Sequence, residues 1–172
     1  NRMESFWSMR MNDTHDVAYR PDRPYLLFPQ LKVDHPDWLV GDPVKRTPHG
    51  RWSSVDYARP EIRDLAFRYI EEVCRNYDVD GVELDFFRHP VFFRRAAVSG
   101  TECNDEERAL MTDLLRRIRA MTEAEGMKRG RPILLAVRVP DSVEFCRAIG
   151  LDLERWLAAG HLDLLVASGY FQ

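Results

Sequence analysis

Two carboxylates stand two residues apart in the run Val82-Glu83-Leu84-Asp85-Phe86-Phe87. In a strand this spacing sends Glu83 and Asp85 to one face and Val82, Leu84 and Phe86 to the other. Paired acids on the inner side of a parallel strand are costly to bury unless they are neutralised or used. Both answers are open. Arg10 or Arg138, each near the end of another expected strand, neutralises them, or they perform acid, base or nucleophilic chemistry. Asp85 is the stronger catalytic candidate because it stands nearer the C-terminal end of its strand, where α/β barrels place their chemistry.

Other polar groups leave strand ends nearby. Arg10-Met11-Asn12-Asp13-Thr14-His15-Asp16 follows one expected strand, and a turn with a helix cap would account for Asn12 and Asp13 alone. His15 suits a hydrogen bond to a substrate hydroxyl. No HxH or HExxH spacing supports a metal site, so neither metal nor cofactor is expected. Arg88-His89-Pro90 follows the acidic strand directly, and His89 is either a ligand-facing group or a loop histidine fixed by its proline. Ser168-Gly169-Tyr170 leaves the last strand on the same rim. Trp38, Trp52 and Tyr57, among Asp34, His35 and Asp37, suit stacking on a sugar ring, and equally suit a lid packed on its own core.

The elements that must position these groups alternate. Residues 4–10 read as a strand, and residues 11–59 as a long stretch rich in Pro, Asp, His and aromatics, a length that marks a functional loop or excursion. Pro60 opens a helix with a stripe of Ile62, Leu65, Ala66, Tyr69, Ile70, Val73 and Tyr77. Asp80-Gly81 turns the chain into the acidic strand. Asn104, Asp105 and Glu107 cap a second helix carrying Leu110, Met111, Leu114, Leu115, Ile118 and Met121, which Gly126 to Gly130 stops. A strand follows at 132–137, then a helical region at 142–159 interrupted near Gly150, then a strand at 162–167. Strands separated by helices imply parallel pairing and an α/β fold.

The chain of 172 residues has 45% hydrophobic and 31% charged residues and a net charge of −3, an ordinary globular composition that suits one domain. That balance argues against nucleic acid as partner, which calls for a clustered basic excess. No segment approaches the roughly 20 apolar residues of a membrane span. Cys74, Cys103 and Cys146 are widely spaced and odd in number, which favours buried free thiols over a disulfide frame. The start at Asn1 shows neither an initiator Met nor an apolar signal core. A processed chain or a piece of a longer protein fits, and the compartment stays open, secretion or periplasmic export with a removed signal included.

Together, RMNDTHD at 10–16, HPDWL at 35–39, YDVDGVELDFFRHP at 77–90 and AVRVP at 136–140 resemble the glycosyl-hydrolase-like (β/α)8 barrels related to the α-amylase clan, among them bacterial proteins whose fourth strand reads D-G-(V/I)-x-(L/F)-D. The resemblance implies Asp85 as the nucleophile. It also implies a sugar-binding cluster that Asn12, Asp13 and His15 match loosely. Clan members usually carry Arg where Glu83 stands, and the general acid normally ends the fifth strand, where this chain offers Asp141 and Glu144. Glu83 serves as a second catalytic candidate beside Asp85.

A complete barrel takes about 250 residues and eight strands. With about four strands visible, the expectation is a partial (β/α)8 TIM barrel, roughly its third to sixth strands, with self-association covering the open sheet edges. The expected function is a glycoside hydrolase acting on O-glycosidic bonds of a carbohydrate through Asp85 and Glu83, with Arg10, Asn12, Asp13, His15, Trp38, His89, Arg138 and Tyr170 binding substrate. Two alternatives stand beside it: a non-catalytic carbohydrate-binding barrel, and a metal-dependent lyase or aldolase barrel with Glu83, Asp85 and His89 as ligands.

Overall fold

Apolar alternation decides which side of each strand is buried. The computed structural model of the protein describes residues 3–45 and 47–169. In chain order the elements are β1 (Phe6–Arg10), α1 (Gln30–Asp34), a 3-10 turn (Pro36–Trp38), α2 (Pro60–Asn76), β2 (Gly81–Asp85), α3 (Arg94–Ser99), α4 (Asp105–Arg129), β3 (Leu134–Pro140), α5 (Val143–Ala148), α6 (Leu153–Ala158) and β4 (Leu164–Ser168). The four strands pair in parallel in the order β1-β2-β3-β4. Each crossover moves one strand onward in the same direction, and right-handed crossovers then place every connecting helix on one face. Helices α2, α4 and α5 lie there, α2 against β2 and the other two against β3.

The helix-covered face carries Trp7 and Met9 of β1, Val82 and Leu84 of β2, and Leu135, Val137 and Val139 of β3, all in or against one core. The other face starts apolar, with Phe6, Gly81 and Leu134 side by side. A Cβ at Gly81 would sit 2.2 Å from the Phe6 ring, so this close approach requires glycine. One layer up come Ser8, Glu83, Ala136 and Leu164, and at the C-terminal end Arg10, Asp85, Arg138 and Val166.

Helix α2 begins at Pro60 as expected and buries Ile62, Ala66, Ile70 and Cys74, a stripe narrower than the sequence pattern, since Tyr69 and Tyr77 are exposed. Helix α4 opens with the anticipated capping box: Glu107 N–H donates to Asn104 Oδ1 and Asn104 N–H to Glu107 Oε2, both at 2.9 Å. It runs through Gly126 to Arg129, because the absent Cβ lets residues 131–133 return close against it. The break at Gly150 separates α5 from α6. Its φ of 100° and the Phe93 ring, 2.5 Å from where a Cβ would stand, exclude other residues. The short helix α3 carries no sequence signal and is held by Arg95, which grips Glu107 of α4 through Nε (3.1 Å) and Nη2 (2.6 Å).

The 11–59 stretch is a small folded excursion rather than a plain loop. Phe28, Leu39 and Trp52 form its own core, Tyr19 stacks on Phe28 at 3.9 Å, and Trp52 Nε1 donates to Val17 O. Cys74, Cys103 and Cys146 are free and buried, and burial pushes their thiols up to about 11, 12 and 11. Among the described residues no helix is long and apolar enough to cross a membrane.

Candidate functional site

Because the strands are parallel, their C-terminal ends share one rim, and the polar layer of the open face rises to it. A hydrogen-bonded ladder spans all four strands just below. Ser8 Oγ of β1 donates to Glu83 Oε1 of β2 at 2.7 Å. Arg138 of β3 grips both Glu83 oxygens, Nε to Oε1 at 3.3 Å and Nη2 to Oε2 at 3.1 Å, and its Nη1 donates to Ser168 Oγ of β4 at 3.3 Å. Of the two arginines that the sequence offers as counter-ions, Arg138 is the one that pairs with Glu83. Ser8 carries no sequence signal, since a single serine in a strand has no pattern, while Ser168 stands in the Ser168-Gly169-Tyr170 run at the rim.

Arg10, the other candidate counter-ion, turns away from the acidic strand and donates Nη1 to Asp13 Oδ2 at 2.9 Å. Asp85 is therefore left without a cation among the described residues. Its Oδ1 accepts the amides of Phe87 (3.0 Å) and Arg88 (3.1 Å), which fix the carboxylate plane, while Oδ2 accepts no hydrogen bond among the described residues. The sequence placed Asp85 at the strand end correctly. Its freedom from Arg10 and Arg138 depends on partners that spacing does not reveal.

Asn12 is engaged by the chain itself. It is buried, and its amide is consumed by backbone: Nδ2 donates to Val55 O (3.1 Å) and Val91 O (2.7 Å), and Oδ1 accepts Val55 N–H (2.9 Å). It staples the excursion and the loop after β2 to the end of β1, and it lines the cleft beside Asp13. Trp38 lies in the 3-10 turn with His35 stacked on one face at 3.8 Å, and it does not line the cleft beside Asp13. Trp52 and Tyr57 are buried, Trp52 in the excursion's core and Tyr57 in the main core with its Oη donating to Met11 O at 2.5 Å, so these rings serve packing rather than present a sugar platform. Tyr170 lies outside the described residues.

Asp13, His15 and His89 do come together, from the loops that follow β1 and β2. One ligand-type atom of each lies within 4.8 Å of the others. Asp13 Oδ1 accepts the His15 backbone N–H at 2.9 Å and contacts His15 Nδ1 at 2.6 Å, and the His15 and His89 rings meet edge to face at 5.0 Å. Partial burial pushes the Asp13 carboxyl up, but the His15 amide, the Arg10 guanidinium and the His15 ring outweigh it and hold the group well below the usual carboxylate range. Desolvation lowers His89, with Asp13 opposing, so its neutral form is favoured. A cleft of about 510 Å³ opens beside this cluster, lined by Arg10, Asp13, His15, Lys32 and Tyr69 among others; at its wall Lys32 is paired with Asp16 at 2.5 Å. Glu144, one of the two candidate acids after β3, is exposed and engaged by Ser142 Oγ at 3.0 Å. Asp141, the other, follows β3 directly and its Oδ2 lies against Gly169, just past β4.

No protein-family model and no curated protein sequence matches the chain. Three solved structures similar to it are glycoside hydrolases. A glycoside hydrolase family 18 N-acetylglucosaminidase from Paenibacillus barengoltzii is 18% identical with a TM-score of 0.43, over 63% of this chain and 30% of that one. Alpha-L-fucosidase isoenzyme 2 from Paenibacillus thiaminolyticus is 24% identical with a TM-score of 0.39, over 62% and 18%. The galactosidase domain of an alpha-galactosidase-sucrose kinase is 19% identical with a TM-score of 0.40, over 78% and 16%. The chain thus spans less than a third of the length of each, and likenesses of this size bear on neither clan nor mechanism.

Proposed function

We propose that the four strands are a section of a glycoside-hydrolase-like (β/α) barrel in which Asp85 acts on an O-glycosidic bond, as nucleophile or as the charge that stabilises the oxocarbenium-like transition state. The observation that carries this reading is the contrast among three rim carboxylates: Glu83 and Asp13 are each bound by an arginine, whereas Asp85 is oriented through Oδ1 by two amides and keeps Oδ2 open. Held in plane yet not neutralised, that carboxylate is preorganised to meet positive charge at an anomeric carbon. The sequential parallel winding, with helices on one face and a polar layer at the C-terminal end of the other, supports the barrel.

In this reading Arg138, fixed by Glu83, and the Asp13–His15–His89 edge hold hydroxyls around Asp85. The proton for the leaving oxygen comes from a carboxyl other than Glu83. A carbohydrate-binding barrel without turnover is the second reading, favoured by the grip of Arg138 on Glu83, which engages the other carboxylate of the same strand face. Asp85→Asn separates the two, assayed on a panel of aryl glycosides with sugar affinity measured in parallel. Hydrolysis should fall by roughly 1,000-fold or more while affinity persists. Turnover at the original rate in Asp85→Asn overturns the catalytic role, and affinity without turnover in the unsubstituted protein selects the binding barrel.

A further inference from the structure

We infer that Asp13, His15 and His89 form a binding site for a divalent transition-metal ion of the zinc type. Two imidazoles and one carboxylate on one side of a centre form a donor set that such ions take, leaving coordination positions open to water or to a ligand's oxygens.

Three independent observations converge on the cluster. First, the donor atoms lie within 4.8 Å of one another. Ligand bonds of about 2.0–2.2 Å bring donors around one ion to within about 4.4 Å at most, so a small rotation of side chains closes the set. His15 and Asp13 side chains are roughly half exposed, at 52% and 43%, so the rotation meets little packing and exchanges the hydrogen bonds of Asp13 for the ion. Second, His89 Nδ1 is buried and has no hydrogen-bond partner among the described residues. A buried ring nitrogen without a partner is a cost that a bound ion removes. Third, His89 is the non-glycine residue with positive φ, at 56°, among those described. It stands immediately before Pro90, and this left-handed conformation is strained for a residue with a Cβ. The backbone is bent to bring this imidazole to the cluster, and Val91 N–H closes the bend on His89 O at 2.8 Å.

Positive charge opposes the ion: Arg10 donates to Asp13 Oδ2 at 2.9 Å, and Arg51 and Arg88 act on His89 from nearby. That opposition supplies a signed test, because removing it should tighten binding. The site shares the rim with Asp85, yet its occupancy does not depend on what Asp85 does.

Zinc chloride, titrated into the purified protein near neutral pH and followed by calorimetry, reads this directly, with cobalt(II) as a visible-light probe of the ligand set. The expected result is one ion per chain. Affinity should fall by roughly 100-fold or more in His15→Phe and in His89→Asn, since losing even an outer partner of a ligand costs 10–100-fold. Affinity should stay unchanged in His161→Ala and rise in Arg10→Met. Asn is chosen at position 89 because it tolerates the left-handed backbone, and circular dichroism verifies the fold of each variant. Absence of saturable zinc binding, equal affinity in folded His15→Phe and His89→Asn, or a thiolate band in the cobalt spectrum each overturns the inference.

Discussion

One strand presents two chemistries on its two sides. Val82 and Leu84 of β2 are fully buried against the helices, whereas Glu83 and Asp85, one residue away in each case, face the open side, Glu83 within a charged ladder and Asp85 beside it. The helix side is held by burial of apolar surface, which is non-directional and tolerates adjustment. The open side is held by directed pairs: Ser8 to Glu83, Glu83 to Arg138, Arg138 to Ser168. Burial therefore fixes that the sheet forms, and the ladder fixes which carboxylates stay neutralised on its polar face.

The comparison breaks most visibly on the buried side. Leu84→Ala should cost about 2–5 kcal/mol of stability, read by chemical denaturation, because it leaves a cavity among packed side chains. A cost no greater than that of a surface substitution would show the helix side to be less decisive than its burial implies.

On the open side, Arg138→Ala removes the grip on Glu83. With the side chains 37% and 14% exposed, water relieves part of the loss, so about 1–3 kcal/mol is expected. Adding Glu83→Gln to Arg138→Ala should recover part of it, since the orphaned charge is then gone. If the double variant is no more stable than Arg138→Ala, the ladder acts by packing rather than charge.

The smallest effect sharpens why the ladder needs arginine. Asp56 is buried and accepts the Ala58 and Arg94 amides, and desolvation raises its carboxyl above the usual value despite them. A folded-state pKa above the unfolded one means that the folded protein holds the proton more tightly. The associated stability is therefore present below the unfolded value of 3.8 and is lost as pH rises through the raised one. Asp56→Asn keeps an acceptor without the charge, so it should melt slightly higher than the unsubstituted protein near neutral pH, with the gap closing in acid. A lower melting temperature at neutral pH would mean that the ionised form is favoured in place.

Much of the frame was legible in advance. Pro60, the Asn104–Glu107 box, Gly150 and the alternation in residues 82–86 act locally, so their sequence signals gave the helices and the acidic strand to within a few residues. Helix α3 and the excursion's core were not legible. They rest on Arg95 reaching Glu107, and on Phe28, Leu39 and Trp52 meeting across some twenty-five residues without a period. The site divided in the same way: the strand-end position of Asp85 was legible, while the backbone carbonyls that engage Asn12 and the His35 ring stacked on Trp38 were not.

By itself the sequence determined the β–α alternation, the parallel sense of the strands and the face on which Glu83 and Asp85 stand, because periodicity and capping act over a few residues. Only the tertiary structure decided that Arg138 pairs with Glu83 and Arg10 with Asp13, that Asp85 keeps an open oxygen, and that His89 meets Asp13 and His15 from more than seventy residues away. Those outcomes depend on strand register and loop path, which set which charges come within a few ångströms, where electrostatic and hydrogen-bond energies are decided.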